Sequence, residues 1–345
     1  HLRHHLLLVA DREFYAQTLE QRFLVDKCVV TSQHLIIGGP EKSLKTSIAA
    51  DLALSVASGS PFLGHFDVLE PQPVIIISGE SGPAKLLRCA RRIRKARDIE
   101  TLDNLFWGLE LPLLSNDDDL DQLETLIARH QAKLAILAPT YLALYSAENA
   151  DRAGNVFMAG SLLNGVGQIG ERTGCTMCLV HHTAGKPKGN QAPNLRDLAF
   201  AGFKEWARQW ILLKPTSQYQ RGRLSLAMTA AGSAGHSGTY TLDVDEGQPA
   251  DPLVGGHWMV TVVPQDGADN DEEPGSTLEE RFLDLLAEAG ITGAWHRDAC
   301  NELKTSHRKL GQVAQSLVSQ GLIQREEKPR NGNKTMQYHI VSQEG

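Results

Sequence analysis

The sequence predicts an α/β fold with a mainly parallel sheet, an antiparallel extension of that sheet, and a second, small domain at the C-terminus. Three observations predict it. Between residues 34 and about 214, short apolar runs alternate with helical patterns, as buried parallel strands and their connecting helices do. Later strand-like segments are separated only by turn residues. A polar, acidic stretch then precedes further helical patterns and two strands.

The parallel part contains runs of about five apolar residues without alternation, which indicates strands that are buried on both faces. Residues 1–33 precede it as a predicted lead-in helix and loop. The predicted strands are His34–Gly38, Pro73–Ser78, Leu105–Leu109, Lys133–Leu137 and Thr176–Val180. The predicted helices are Lys45–Ser58, Pro83–Arg97, Leu120–His130 and Gly154–Thr173.

Four later segments are predicted as consecutive antiparallel strands that extend the sheet: Trp210–Lys214, Arg223–Ala230, Thr239–Val244 and Trp258–Val263. The large domain therefore covers residues 34–263. Residues 264–275 contain Gly, Pro and acidic residues but no large apolar residue, and they are predicted to form a linker.

Residues 276–345 are predicted to form a winged-helix domain, because three helical patterns precede two strands. Ser276 and Glu279 have capping-box spacing at the start of the first helix. The other helices are Trp295–Lys304 and Ser306–Gln320, and the strands are Leu322–Arg325 and Met336–Ile340. A polar hairpin, Lys328–Lys334, is predicted between the strands.

The composition limits the classes of function. Of the 345 residues 41% are hydrophobic, so a sizeable core is available, and the net charge of -7 does not favour general nucleic-acid binding. Any nucleic-acid contact must therefore be local. Five cysteines favour a reducing, cytoplasmic compartment, and no apolar run reaches the length of a membrane span. Cys175 and Cys178 are predicted to be buried strand cysteines rather than metal ligands.

The strongest motif follows the first strand and begins the first helix of the large domain. Main-chain N–H groups in such a loop bind phosphate oxygens, with Lys45 on the β- and γ-phosphates of ATP and the Thr46 hydroxyl on Mg²⁺. Leu44 departs from the usual pattern, which has a glycine before the lysine. The alternative is an ordinary strand–turn–helix junction. The predicted nucleotide-binding residues are Gly39, Pro40, Glu41, Lys42, Ser43, Leu44, Lys45, Thr46 and Ser47.

The segment Gly39–Thr46 resembles the phosphate-binding loop of RepA-like ATPases, a branch of the RecA-like hexameric helicases. The resemblance extends over residues 25 to about 215. It implies an enzyme with a RecA-like core that uses ATP and Mg²⁺. It also implies a homo-oligomer, such as the hexamers of this family, that moves single-stranded DNA through a central channel.

The resemblance also assigns two strand-end residues. Glu80 ends the second strand, where the family's glutamate polarises the attacking water, and His182 ends a strand whose histidine senses the γ-phosphate. A solvated glutamate and two surface histidines are the alternatives. The loop 184–196 carries Lys186 and Lys188 without an acidic residue and is a candidate DNA-contacting loop, although an ordinary surface loop explains it equally well.

Ala138 stands where the family has the Mg²⁺-binding aspartate of its Walker B strand. A methyl group cannot bind a metal ion, so we expect nucleotide binding with impaired hydrolysis. Two explanations are open: an engineered replacement that traps a nucleotide-bound state, or a naturally degenerate ATPase. The first is favoured because every other motif is present.

Hexameric relatives complete each site with a cation from the neighbouring subunit. The candidates are Lys204, Arg208, Arg221 and Arg223, of which Arg208 and Arg223 are favoured. Plain surface cations are the alternative for each. The helix Pro83–Arg97 carries seven basic residues and no acidic residue between positions 85 and 97, which favours a solvated face or subunit interface over direct contact with a phosphate backbone.

In the C-terminal domain, polar side chains on the third helix could read duplex DNA, and the hairpin could contact its backbone. The helix residues are Arg308, Lys309, Gln312 and Gln315, and the hairpin residues are Lys328, Arg330 and Lys334. Because the domain is close to neutral, a protein-binding winged helix stays open. For the whole chain we expect a DNA-dependent motor, with a nucleotide-gated DNA-binding regulator and an assembly scaffold as alternatives.

Overall fold

A computed structural model describes most of the chain. The described residues are 8–15, 21–80, 82–144, 156–184, 192–199, 202–247, 257–265, 278–290, 293–303, 305, 307–330 and 333–341. The chain divides into two compact units, His1–Pro264 and Gln265–Gly345. Ser276 and residues 266–275 of the predicted linker lie outside the described residues. No helix among the described residues is long and apolar enough to cross a membrane.

The first unit is built on one large sheet. Its strands, with a preceding hairpin, are β1 (Phe23–Val25), β2 (Val29–Val30), β3 (Leu35–Gly39), β4 (Val74–Ser78), β5 (Leu105–Gly108), β6 (Leu134–Ala138), β7 (Thr176–His182), β8 (Gln209–Pro215), β9 (Arg223–Gly232), β10 (Ser237–Asp245) and β11 (Met259–Pro264). Its helices are α1 (Asp11–Tyr15), α2 (Lys45–Ser58), α3 (Gly82–Ala96), α4 (Asp117–His130), α5 (Thr140–Leu144), α6 (Val156–Thr173) and α7 (Phe203–Trp206).

The nine-stranded sheet has the order β11-β10-β9-β8-β3-β7-β6-β4-β5. The six strands from β8 to β5 pair in parallel, and β9, β10 and β11 are antiparallel to their neighbours. The predicted α/β class with a mainly parallel sheet is confirmed. The segment Trp210–Lys214 pairs antiparallel with β9, as predicted, but it also pairs in parallel with β3, because the chain crosses from β7 to the far side of β3 before it enters β8.

Residues 23–30 form a hairpin, β1 with β2, where the sequence predicted a helix and loop. The buried Gln209 at the start of β8 holds this hairpin. Its side-chain amide accepts a hydrogen bond from the Val30 N–H at 2.7 Å and donates to the Val30 carbonyl at 2.8 Å. A side chain from far along the sequence therefore substitutes for a backbone partner, which a local pattern cannot predict.

The helices cover both faces of the sheet with apolar cores. One core contains α2 and the buried face of α3, and the other contains the buried faces of α4 and α6. Cys175 and Cys178 are buried thiols, as predicted. Burial raises the pKa of Cys175 to about 12, so this thiol is neutral and unreactive at physiological pH.

Asp51 is a fully buried carboxylate in the middle of α2. It forms an ion pair with Arg97, just beyond the end of α3, and accepts hydrogen bonds from the Trp258 indole N–H and, at 3.0 Å, the Leu63 backbone N–H. A buried charge is tolerated only when it is paired and hydrogen-bonded. Asp51 therefore joins α2 to three segments that are distant in sequence.

The second unit contains α8 (Leu278–Ala289), β12 (Ala294–Trp295), α9 (His296–Glu302), α10 (His307–Ser319), β13 (Ile323–Arg330) and β14 (Asn333–Ile340). Its sheet has the order β12-β14-β13. Trp295, predicted as helical, lies in a strand. The predicted polar hairpin is mostly strand, since β13 and β14 pair from Ile323 and Ile340 as far as Arg330 and Asn333. Residues 324–328 of this two-stranded ribbon are polar and exposed, so the sequence has no alternation of apolar and polar residues that would predict a strand there.

Candidate nucleotide site

The phosphate-binding loop connects the buried strand β3 to α2. A Cβ on Gly39 would lie 2.7 Å from the Ser43 hydroxyl and 2.8 Å from the Leu213 carbonyl oxygen, so only glycine fits there. The Ser43 hydroxyl and the Lys45 ammonium both donate to the Pro40 carbonyl, at 2.7 Å and 2.6 Å. The loop thus closes on itself, beside the unpaired N–H groups with which α2 begins.

Leu44 has the backbone conformation for which the usual motif uses glycine. It caps α2 with φ 58° and ψ 20°, in the left-handed region, and its side chain packs partly buried against the core. A non-glycine residue there costs about 1–2 kcal/mol. The loop therefore keeps its shape despite the sequence departure.

We expect Leu44→Gly to be more stable than Leu44→Ala by about 1 kcal/mol, although alanine is normally the better helix residue. Both variants lose the leucine packing, but only glycine relieves the left-handed backbone. Urea unfolding of both variants measures the difference. Equal stabilities, or a more stable alanine variant, would show that position 44 is not strained in solution.

A cavity of about 1100 Å³ opens above the loop, at the carboxyl ends of the parallel strands. Open α/β sheets bind ligands at this edge. The cavity brings together loop residues 40–47 with the predicted Glu80 and His182. It also contains residues that were not among the predicted ligands, including Arg92, Tyr141, Tyr219 and Glu246.

Lys45 is the central cation of this cavity. Its side chain is buried, with 8% of its surface exposed, and burial lowers its pKa to about 8, against the opposing influence of the Glu80 and Glu41 carboxylates. The Pro40 carbonyl is its hydrogen-bond partner. A triphosphate would replace that neutral oxygen by anionic ones, so bound nucleotide should raise the pKa of Lys45.

We therefore expect ATP affinity to be constant below about pH 8 and to fall above it, by up to tenfold per pH unit. The free protein loses the Lys45 proton as pH rises through its lowered pKa, and nucleotide binding must then take the proton up again. Calorimetric titration between pH 7 and pH 10, in two buffers of different ionisation enthalpy, measures both quantities. Lys42→Ala, which removes the other lysine of the loop, should keep this profile. An affinity independent of pH across this range would contradict the prediction.

Ala138 ends β6 with 1% of its surface exposed, directly opposite Ser78 on β4. The Ser78 hydroxyl is buried and has no hydrogen-bond partner among the described residues, which is costly for a hydroxyl group. A carboxylate at position 138 would supply the missing acceptor.

The protein therefore offers an incomplete set of side-chain ligands for Mg²⁺. Thr46 is half-buried at the cavity and can contribute its hydroxyl, but β6 offers no oxygen ligand from a side chain. Mg²⁺ commonly keeps several waters and binds substrate phosphates. In this chain Thr46, the triphosphate and water would hold it, and the ion would neutralise phosphate charge.

The two histidines at the end of β7 have different surroundings. His181 is fully buried, stacks on Phe203 with ring centroids 3.8 Å apart, and lies 2.9 Å from the Ala199 carbonyl oxygen through Nε2. Burial lowers its pKa to about 4, so it is neutral near pH 7. His182 is half-buried and lines the cavity, where burial and then the Lys45 charge lower its pKa.

The end of β7 also holds the base of the predicted DNA-contacting loop. The Ala199 N–H donates to the His182 carbonyl at 3.0 Å, and the Ala184 N–H donates to the Asp197 carbonyl at 2.8 Å. Lys186 and Lys188 lie outside the described residues. The histidine strand and the returning segment 192–199 are thus joined by backbone hydrogen bonds.

A second group of side chains surrounds Ser47, one residue after Thr46. Arg92 forms an ion pair with Glu246 and donates to the Ser47 hydroxyl at 2.9 Å, and the Tyr219 hydroxyl donates to Glu246 at 3.1 Å. Burial, and then the Glu246 charge, raises the pKa of Tyr219. Only the basic run of α3 could have indicated this group, because its partners are distant in sequence.

The four candidate cations differ in their positions. Arg223 forms an ion pair with Asp245 at 2.9 Å, and Lys204 with Glu205 at 3.3 Å. Arg208 precedes β8, at the amino edge of the parallel sheet, opposite the phosphate loop. Arg221 is exposed in a two-residue turn, at φ 49°, between β8 and β9.

In the second unit, the helix positions Arg308, Lys309 and Gln312 lie on α10, with side chains outside the described part of the chain. The Gln315 side chain accepts a hydrogen bond from Arg325 at 2.7 Å, and Lys328 pairs with Glu326 at 2.6 Å. Arg330 and Lys334 occupy the far end of the β13–β14 ribbon. The ribbon carries both signs of charge.

These features define the class: a P-loop ATPase domain with an α/β core, whose phosphate loop joins a buried parallel strand to a helix. The chain belongs to the AAA domain family, whose model matches residues 3–188, more than half of the sequence. No curated protein shows a significant match.

Two solved structures are similar in fold. A KaiC-like protein from the hyperthermophilic archaeon Pyrococcus horikoshii OT3 is 16% identical, with a TM-score of 0.43 over 69% of this chain and 93% of its own. The ATPase domain of G40P is 12% identical, with a TM-score of 0.46 over 61% of this chain and 81% of its own. Similarities this distant do not assign a substrate or partner.

Proposed function

We propose that this chain is an oligomeric, DNA-associated motor of the RepA-like type that binds Mg²⁺–ATP and hydrolyses it slowly, acting as a replicative helicase or a helper of a mobile element. One observation carries the proposal. A single cavity contains the phosphate loop, Glu80 and His182, and the strand that ends in His182 holds the base of the loop 184–196.

Different residues of the cavity would bind different parts of the nucleotide. The N–H groups of Gly39 and residues 41–47 and the Lys45 ammonium bind the triphosphate. Tyr219 and Arg92 line the cavity on the Ser47 side, and we assign them to the nucleoside. Glu80 is the carboxylate that polarises the attacking water. Since Ala138 leaves the metal without a side-chain carboxylate, hydrolysis is slow while nucleotide binding is retained.

For the cation supplied by a neighbouring subunit we favour Arg221, in place of Arg208 and Arg223. Gln220 and Arg223 exchange backbone hydrogen bonds of 3.0 Å and 2.8 Å across the turn, which fixes the exposed Arg221 at its tip. Residues in sparsely populated backbone regions often lie at functional sites. Arg223, by contrast, is held by Asp245.

Mixed oligomers test this assignment. We expect Arg221→Ala and Lys45→Ala proteins, each inactive alone at saturating ATP, to regain part of their ATP turnover when mixed, because one kind of interface then has an intact loop and an intact arginine. The Ala138→Asp background supplies a measurable rate. Arg223→Ala is the matched control and should retain turnover. If the mixed oligomers had no more ATP turnover than either variant alone, Arg221 would not be the cation supplied by the neighbouring subunit.

Two parts of the chain are proposed to contact DNA. Lys186 and Lys188 would line a central channel for single-stranded DNA. The second unit is proposed to be a winged helix that binds duplex DNA through α10 and the ribbon. Its contact residues would be Arg308, Lys309, Gln312, Lys328, Arg330 and Lys334. Five buried free thiols support a reducing, cytoplasmic compartment.

The mass in solution, measured with and without ATP and single-stranded DNA, tests the proposal. We expect ATP to promote a closed oligomer that binds DNA, and the Ala138→Asp variant to unwind a forked duplex. ATP-dependent DNA binding without strand separation would instead support a regulator, which the missing carboxylate favours. Oligomers that ignore DNA would support an assembly scaffold.

A further inference from the structure

Tyr141 is a cavity residue that the motifs do not include. It lies in α5, immediately after β6, and its ring meets the His182 ring edge to face, with centroids 5.3 Å apart and planes at 63°. The buried Thr140 hydroxyl donates to the Val180 carbonyl at 3.1 Å. This bond ties the start of α5 to β7, two residues before His182.

The core does not require the Tyr141 ring. On the other side of α5, the Ala143 and Leu144 side chains are buried. The Ala143 carbonyl accepts a hydrogen bond from the Leu114 N–H at 2.7 Å. Tyr141 keeps 37% of its surface exposed, toward a cavity that also contains Lys45 and Glu80. A partly exposed aromatic ring that lines a ligand cavity and is not needed for packing indicates a role in the site.

The electrostatic surroundings place the phenol near the part of the cavity that would hold the γ-phosphate. Burial raises the pKa of Tyr141, and the charges of Glu80 and Glu41 raise it further. The same two carboxylates act on Lys45 and on His182. These five groups therefore share one region of the cavity.

We infer that Tyr141 is a positioning residue, whose ring fixes the orientation of His182 between the triphosphate and the returning segment 192–199. The chain of contacts runs from the Tyr141 ring to the His182 ring, and from the His182 carbonyl to the Ala199 N–H. The inference deepens the proposed function and rests on it: without this ring, ATP should still bind, but its effect on DNA affinity should be reduced.

Three variants separate this role from a merely structural one. Tyr141→Leu removes the ring, Tyr141→Phe keeps it without the hydroxyl, and Leu142→Ala alters the exposed neighbouring residue. For each, single-stranded DNA affinity is measured with ATP and with ADP. Coupling between sites is typically about 5-fold to 150-fold. We expect Tyr141→Leu to reduce this ratio at least about fivefold, and Tyr141→Phe and Leu142→Ala to keep it.

Histidine-selective NMR supplies a readout that does not depend on DNA. The His182 ring signals should shift with loss of the aromatic neighbour in Tyr141→Leu, remain similar in Tyr141→Phe, and move in the wild-type protein when ATP binds. A folded Tyr141→Leu protein with unchanged coupling would overturn the inference, as would wild-type His182 signals that ignore ATP. A wild-type protein whose DNA affinity is the same with ATP and ADP would instead overturn the proposed function.

Discussion

Ala138→Asp is expected to raise kcat for ATP hydrolysis about 10-fold to 100-fold, which corresponds to about 1.4–2.7 kcal/mol of additional transition-state stabilisation. The new carboxylate would end β6 beside the nucleotide cavity, at the position where the resemblance to RepA-like ATPases implies a metal-binding aspartate. The Ser78 hydroxyl on the neighbouring strand, which has no partner in the described part of the chain, can donate to it. A buried carboxylate with a donor and a nearby metal is far less costly than an isolated one.

The matched control is Ala138→Asn, which has nearly the same volume and can accept from Ser78 but carries no negative charge. Its turnover should stay at the level of the unmodified chain. Adding Ser78→Ala to Ala138→Asp should remove part of the gain. Steady-state phosphate release at saturating ATP measures all four proteins. If a folded, ATP-binding Ala138→Asp protein were no faster, β6 would not be the metal-binding strand.

Asp51→Ala should destabilise the first unit by about 3–5 kcal/mol, the usual cost of removing one partner from a buried ion pair. The substitution leaves the Arg97 guanidinium, the Trp258 indole N–H and the Leu63 backbone N–H without their shared acceptor. Unpaired buried donors cost about 1–3 kcal/mol each, so the effect exceeds that of a single lost hydrogen bond.

Urea unfolding followed by far-UV circular dichroism measures this loss, with the transition of the second unit as an internal reference. Asp103→Ala removes an exposed carboxylate from a turn and should change stability by less than about 0.5 kcal/mol. A loss of less than about 1 kcal/mol in Asp51→Ala would mean that the buried network does not stabilise α2.

The sequence predicted the parallel part of the fold well, because buried strands and their helices leave strong local patterns. The strand β3, the loop 40–44 and the helix α2 follow one another as the motif requires. The parallel pairing of β8 with β3 was not predicted, because the neighbours of a strand depend on the path of the chain and not on the residues of that strand. The hairpin at residues 23–30 was not predicted because the Gln209 side chain, which is hydrogen-bonded to it, is far away in the sequence.

The candidate site shows the same division. The phosphate-loop motif predicted Lys45, and the resemblance to RepA-like ATPases predicted Glu80 and His182; all three line one cavity. Tyr219 and Glu246 are separated from the loop by most of the chain and belong to no motif. Leu44 shows the reverse case, in which a departure from the motif left the backbone conformation unchanged.

The hydrogen bond from Lys45 to the Pro40 carbonyl has a consequence for ligand selection. A ligand that enters the loop must displace this internal acceptor, and only a group with several anionic oxygens returns more than is lost. Adenosine and AMP offer little in exchange, whereas ADP and ATP offer a second or third phosphate at that position. The Pro40 carbonyl thus competes with any ligand for the Lys45 ammonium, and we expect the loop to discriminate by phosphate number rather than by the base.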